Sequence, residues 1–359
     1  MTISDSRDNT PDIMKGILIL CVVFGHSLSM VNSIRSVLWS QSIVNVFFTS
    51  FEMPCFSLLS GYFLAYSLEH RTTCQVMKRR LLRYLPVLLI WCAASVIINA
   101  VFHQKPIYIK DIFIDISREV SSGKLWYIFS YLFCSILFCI YRIIESKFTK
   151  LWTKTIIQVL GCVMLLVFIH ISPISFGYST FLLPFFLVGY IMRTKMNNPA
   201  KLRKINKSIA IIGSGLFPIL LFFYKADYSF YIYDQHILYV ENLTSIIQTM
   251  CIFIMRFICA LCGCCFVYCC SQTLSEKSNI AQKLSIIGKK SLSIYILSVH
   301  LQILLCKIFS IVFSEKMLND FNVLFSVGVL FFIALLSISE ITRKIITHIP
   351  IIGKLLLGE

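Results

Sequence analysis

Apolar runs long enough to cross a bilayer recur from one end of this 359-residue chain to the other. That repetition constrains the fold more than any motif does. A helix needs about 20 mostly apolar residues to traverse a hydrocarbon core of roughly 30 Å. Only helices or closed barrels satisfy their backbone polar groups there. The mean hydropathy of +0.81 fits this pattern, as do 57% hydrophobic and 14% charged residues. The sequence therefore predicts an all-α, polytopic membrane protein of about ten transmembrane helices. The expected spans are 13–31, 42–68, 81–102, 125–143, 155–171, 177–192, 208–224, 243–270, 292–313 and 321–340. The gaps are too short for a separate soluble domain, so residues 1–359 are expected to form a single transmembrane domain. The first run carries His26 and no small-residue cleavage site, so it is expected to remain as a span.

The formal charge of +16 is explained by topology rather than by nucleic acid. With the N-terminus placed in the cytoplasm, most of the 33 lysines and arginines fall in inner segments, among them Lys78–Arg83, Arg142–Lys154 and Arg193–Lys207. Basic residues on the inner side orient membrane proteins, which predicts that both termini face the cytoplasm and that the protein lies in the inner or plasma membrane. The 15 cysteines fall almost entirely within apolar spans, where a thiol acts as a small hydrophobe; no metal site is expected.

Ionisable groups inside the spans are where function is expected, because burying them in a bilayer is costly. Lys15 and His26 are close to three helical turns apart in the first span and share a face, with His26 roughly 16 Å further along. In the second span Glu52 precedes Pro54, a residue that can break a helix where it lines a cavity. Arg256 lies midway along the eighth span and His300 two to three turns into the ninth. These groups are expected to meet in a buried chamber, with Glu52 paired to His26 or Arg256. At the inner surface, Arg80 and Arg83 share a face as the third span begins. Their guanidiniums suit phosphate, although juxtamembrane basic clusters also anchor lipid headgroups. No P-loop lysine motif, nucleophile elbow or zinc-protease helix is present.

Six stretches in order resemble the membrane acyltransferase family 3, the integral-membrane glycan O-acetyltransferases. They are Asp12–His26; Phe51–Tyr62; Arg80-x-x-Arg83-x-x-Pro86; Leu125–Ile128; Pro184–Tyr190; and Gly288–Tyr295. The resemblance implies transfer of an acyl group, usually acetyl, from cytoplasmic acyl-CoA to a hydroxyl of a surface glycan or its lipid-linked precursor. By position it implies His26 as catalytic histidine with Lys15 as its basic partner, and Glu52 as an orienting acid. Arg80 and Arg83 would contact the CoA phosphates, and Arg256, His300, Trp126 and Tyr62 would line the substrate chamber. Acetyl-CoA or another acyl-CoA would be a donor substrate rather than a resident cofactor. The other partners would be the saccharide acceptor and membrane lipid. Two readings compete with the enzyme: a transporter or flippase of a glycan precursor or acyl group, and an assembly subunit of an export system.

Overall fold

A computed structural model describes residues 9–34, 42–102, 109–147, 174–194, 199–225, 243–275 and 278–359. Every regular element among them is helical. The helices are α1 (Thr10–Ile34), α2 (Ile43–Glu69), α3 (Thr73–Phe102), α4 (Ile109–Ser122), α5 (Trp126–Glu145), α6 (Ile174–Thr194), α7 (Pro199–Phe223), α8 (Leu243–Ser275), α9 (Ser278–Lys289), α10 (Ser291–Val312), α11 (Phe321–Thr347) and α12 (Pro350–Leu357). A short 3-10 turn, Met317–Asn319, precedes α11.

Seven of these helices are long and apolar enough to cross a membrane: α1, α2, α3, α5, α8, α10 and α11. The apolar part of α7, Lys207–Phe223, is shorter, and α6 covers the expected 177–192. The expected span 155–171 lies outside the described residues. Outward-facing positions are apolar as well, including Ile97, Val101, Ile209, Phe222, Ile333 and Ile341. A helix that is apolar on its outer face suits lipid rather than water. Within the spans, hydroxyls turn back onto their own helix: Ser27 donates to Val23 O at 2.7 Å and Thr49 to Asn45 O at 2.7 Å. This satisfies them without a second chain segment.

Contacts group the chain into two compact units. The first comprises Met1–Leu59, Asn198–Ser229 and Met255–Lys344. The second comprises Ser60–Asn197, Phe230–Ile254 and Ile345–Glu359.

In the first unit α1 is the central element. Glycine lets it meet α9 backbone to backbone: a Cβ on Gly16 would strike Leu284 O, and one on Gly288 would strike Asp12 O. At its other end α1 meets α10, where Cys306 Sγ lies 3.6 Å from Met30 O and 3.8 Å from Ser33 Oγ. Phe24 packs edge-on against Phe48 of α2 and against Phe325 and Phe332 of α11. Gly263 of α8 admits the Phe51 side chain of α2.

In the second unit α3 and α5 run antiparallel, matched at Arg80–Ser135 and Tyr84–Tyr131. By contrast α5 and α6 run parallel. Trp126 meets Tyr178, Ser130 bonds Ser179, and Arg142 bonds Tyr190. Three helices were not expected from the sequence. Two of them, α4 and α9, alternate polar and apolar residues too evenly to read as spans, and α12 is only eight residues long. Helix α3 also begins earlier than expected, so the Lys78–Arg83 run is already helical.

Candidate active site

The heights of the ionisable residues in the first unit follow from its interhelix contacts. Antiparallel packing sets Phe24 of α1 beside Phe48 of α2, and Cys21 within electrostatic reach of Glu52. On that register Glu52 is level with Cys21. It lies about five residues, roughly 8 Å, from His26 toward the α1 N-terminus. Parallel packing of α2 on α8, through Ser50–Cys259, Phe51–Gly263 and Cys55–Cys264, sets Arg256 about two turns from Glu52. That places Arg256 within about one turn of His26 in height. Helix α10 runs parallel to α1, with Cys306 beside Met30 and Ser33, so His300 is also within about one turn of His26.

His26, Arg256 and His300 thus share a level, while Glu52 and Lys15 occupy successive lower ones. Among the described residues no hydrogen bond or ion pair joins Glu52 to Arg256 or to His26. Glu52 is 7% exposed and its Oε2 meets no hydrogen-bond partner among the described residues. Arg256, 2% exposed, is engaged by the Tyr224 hydroxyl at the end of α7. His300 places Nδ1 2.7 Å from Ile296 O one turn earlier on its own helix. A carbonyl only accepts, so Nδ1 carries the hydrogen of this bond.

Lys15 is held by Asp12, Nζ to Oδ1 at 2.7 Å, with Asp12 only 2% exposed. Asp12 was not singled out as its partner, although the three-residue spacing places both on one helix face. A second charged group was missed: Glu340 of α11 accepts from Arg343 at 2.8 and 2.9 Å and from Lys290 at 3.1 Å. It ties the start of α10 to the end of α11.

Among the second unit's residues, Arg80 and Arg83 share a face of α3 as expected, but their settings differ. Arg80 is 7% exposed, donates Nη1 to Ser135 Oγ at 2.6 Å, and lies over the Tyr131 ring at 5.1 Å. Arg83 is exposed, and its Nε donates to Gly358 O at the end of α12 at 2.8 Å. Trp91 secures the same helix end, donating to Leu356 O at 2.7 Å. Trp126 packs on Tyr178 with centroids 4.7 Å apart. Tyr62 lies under the Arg193 guanidinium, which also grips Glu69 through two 2.8 Å bonds. The aromatic-rich stretch 228–236 lies outside the described residues. The described cysteines are free thiols, and several are used for packing, as in the Cys55–Cys264 contact.

The family profile described as an acyltransferase domain matches residues 8–340. The chain belongs to acyltransferase family 3. The helices carrying Lys15, His26, Glu52, Arg80, Arg83, Arg256 and His300 all fall inside the match. Its long apolar helices suit a membrane protein. Among curated relatives it is similar to Nodulation protein NolL of Sinorhizobium fredii, 26% identical over 215 residues, covering 58% of this chain and 55% of the relative. It is also similar to Nodulation protein NolL of Mesorhizobium japonicum, 28% identical over 130 residues, covering 35% and 34% respectively. The chain spans about half the length, or less, of these relatives. No solved structure matches it.

Proposed function

We propose that the protein is an O-acyltransferase of the cell membrane that moves an acyl group, acetyl first among candidates, from cytoplasmic acyl-CoA to a hydroxyl of a surface glycan or its lipid-linked precursor. The observation that carries this reading is the placement of His26. It sits in the membrane helix α1 at the level of Arg256 and His300, inside the family match.

In the proposed reaction the neutral His26 imidazole accepts the proton of the acceptor hydroxyl as its oxygen attacks the thioester carbonyl. The new ester C–O bond forms, the C–S bond breaks, and the proton passes from His26 to the departing thiolate, giving free CoA. Developing negative charge on the carbonyl oxygen is met by the Arg256 guanidinium at the same level. Lys15, fixed by Asp12, supplies positive charge toward the other end of α1. Arg80 and Arg83 contribute guanidinium donors for the CoA phosphates. Arg80 is pre-oriented by Ser135 and Tyr131. Trp126 and Tyr62 supply aromatic faces for the substrates. Both chain termini on the cytoplasmic side would put the basic start of α3 on the donor side.

The test is the ester content of surface glycan, by mass spectrometry, from cells carrying wild-type or His26→Ala protein at matched membrane levels. An acyl mass present only with wild type is expected. Equal ester content would remove His26 as the base. Loss of exported glycan without loss of its esters would move transport of a precursor ahead of acyl transfer.

A further inference from the structure

Gln302 of α10 is 6% exposed, and among the described residues its Oε1 accepts no hydrogen bond. A buried amide oxygen without a partner destabilises the fold, and an apolar residue of the same shape would remove that penalty. Its position is informative. One turn further along α10, Cys306 touches Met30 O and Ser33 Oγ of α1. Gln302 shares the Cys306 face of α10, and His26 shares the Ser33 face of α1, two turns earlier. Both sit below the same contact, Gln302 by about 6 Å and His26 by roughly 6–10 Å. His300, two residues before Gln302, points nearly half a turn away from it on the same helix. Its Nδ1 is occupied by Ile296 O.

We propose that Gln302 is a positioning residue for His26. Its amide oxygen accepts a ring N–H of the imidazole while the other ring nitrogen takes the proton of the acceptor hydroxyl. The bond fixes both tautomer and ring plane, and it does so without placing a second charge beside the base. Glu52, about 8 Å away in height, is left to act on another part of the site. The inference rests on the reading of His26 as the general base.

The test compares Gln302→Met, which keeps volume but removes the acceptor, with Gln302→Glu, which keeps an acceptor oxygen at the same reach. Both are assayed in purified, detergent-solubilised full-length protein for acyl transfer and for thermal stability. His26→Ala is run alongside. Gln302→Met is expected to lower kcat about 10- to 100-fold, the factor carried by one buried hydrogen bond. Its KM should stay at the wild-type value and its melting temperature should be equal or higher. Gln302→Glu is expected to stay within a few-fold of wild type. A Gln302→Met enzyme with wild-type kcat, one impaired only in KM, or one that melts lower in proportion to its lost activity overturns the inference. So does Gln302→Glu falling with Gln302→Met. If His26→Ala retains activity, the underlying reading fails instead, whatever Gln302 does.

Discussion

The glycine seam between α1 and α9 permits a quantitative test. A Cβ at Gly288 would land on Asp12 O and lie 2.8 Å from Gly16 N and 2.9 Å from Asp12 C. Carbon contacts are comfortable near about 3.5 Å, and the obstruction is backbone, which no rotamer change can clear. The two helices must therefore separate by roughly an ångström. Overpacking of this kind costs about 1–3 kcal/mol, against a gain of at most about 0.5–1 kcal/mol from replacing a helical glycine by alanine, and less at Gly288, which is next to last in α9. Gly288→Ala should therefore destabilise the protein by about 1–2 kcal/mol net. Gly16→Ala, whose Cβ would strike Leu284 O and lie 2.9 Å from Leu284 C, should cost a similar amount. One outward shift relieves both clashes, so the double variant should cost less than the sum, with a coupling of about 0.5–2 kcal/mol. The assay is thermal unfolding in detergent, followed by labelling of thiols such as Cys55, Cys92 and Cys259, which are buried in the folded protein. Gly215→Ala serves as control, because nothing lies within 4 Å of its Cβ position. It should raise the melting temperature. Additive costs at Gly16 and Gly288, or a Gly215→Ala loss as large as either, would refute the reasoning.

Other outcomes follow from single contacts. Asp12→Asn removes the carboxylate charge from the 2.7 Å contact with Lys15 and should lower stability by about 1–3 kcal/mol, together with acyl transfer; an unchanged melting curve and rate would contradict this. Trp91→Phe removes the donor to Leu356 O, costing about 1 kcal/mol. Limited proteolysis should then cut within 345–359 faster than in wild type. Arg80→Lys cannot reproduce the Ser135 bond and Tyr131 stacking together, so the KM for acyl-CoA should rise about tenfold or more; a rise only in the acceptor KM would assign Arg80 elsewhere. In a double-mutant cycle, Glu69→Gln and Arg193→Gln should couple by no more than about 1 kcal/mol, because both side chains are partly exposed.

The helices could be read from the chain because each span satisfies its own backbone and declares itself by composition. The shared face of Lys15 and His26, like that of Arg80 and Arg83, follows from helical periodicity alone. Heights across different helices do not. Glu52 was expected beside His26 or Arg256, yet its position depends on how Phe24 seats against Phe48 and how Gly263 admits Phe51. No local pattern encodes those tertiary contacts. The Arg83 bond to Gly358 joins residues 275 positions apart and leaves no local trace in either. Gln302 carries no charge to mark it beside His300, and its unmet hydrogen bond is visible only in the packed structure.

Helix α1 is pinned at two places, by glycine contact with α9 near Asp12 and Gly16 and by the Cys306 contact near Met30 and Ser33. A rod fixed near both ends can neither tilt nor slide against α9 and α10 without breaking a joint, so the backbone that carries His26, lying between them, behaves as a stationary post. Carrier-style rocking of α1 would have to tear open close-packed backbone at one end. Displacement during turnover then falls to the substrates and to the side chains that approach the post.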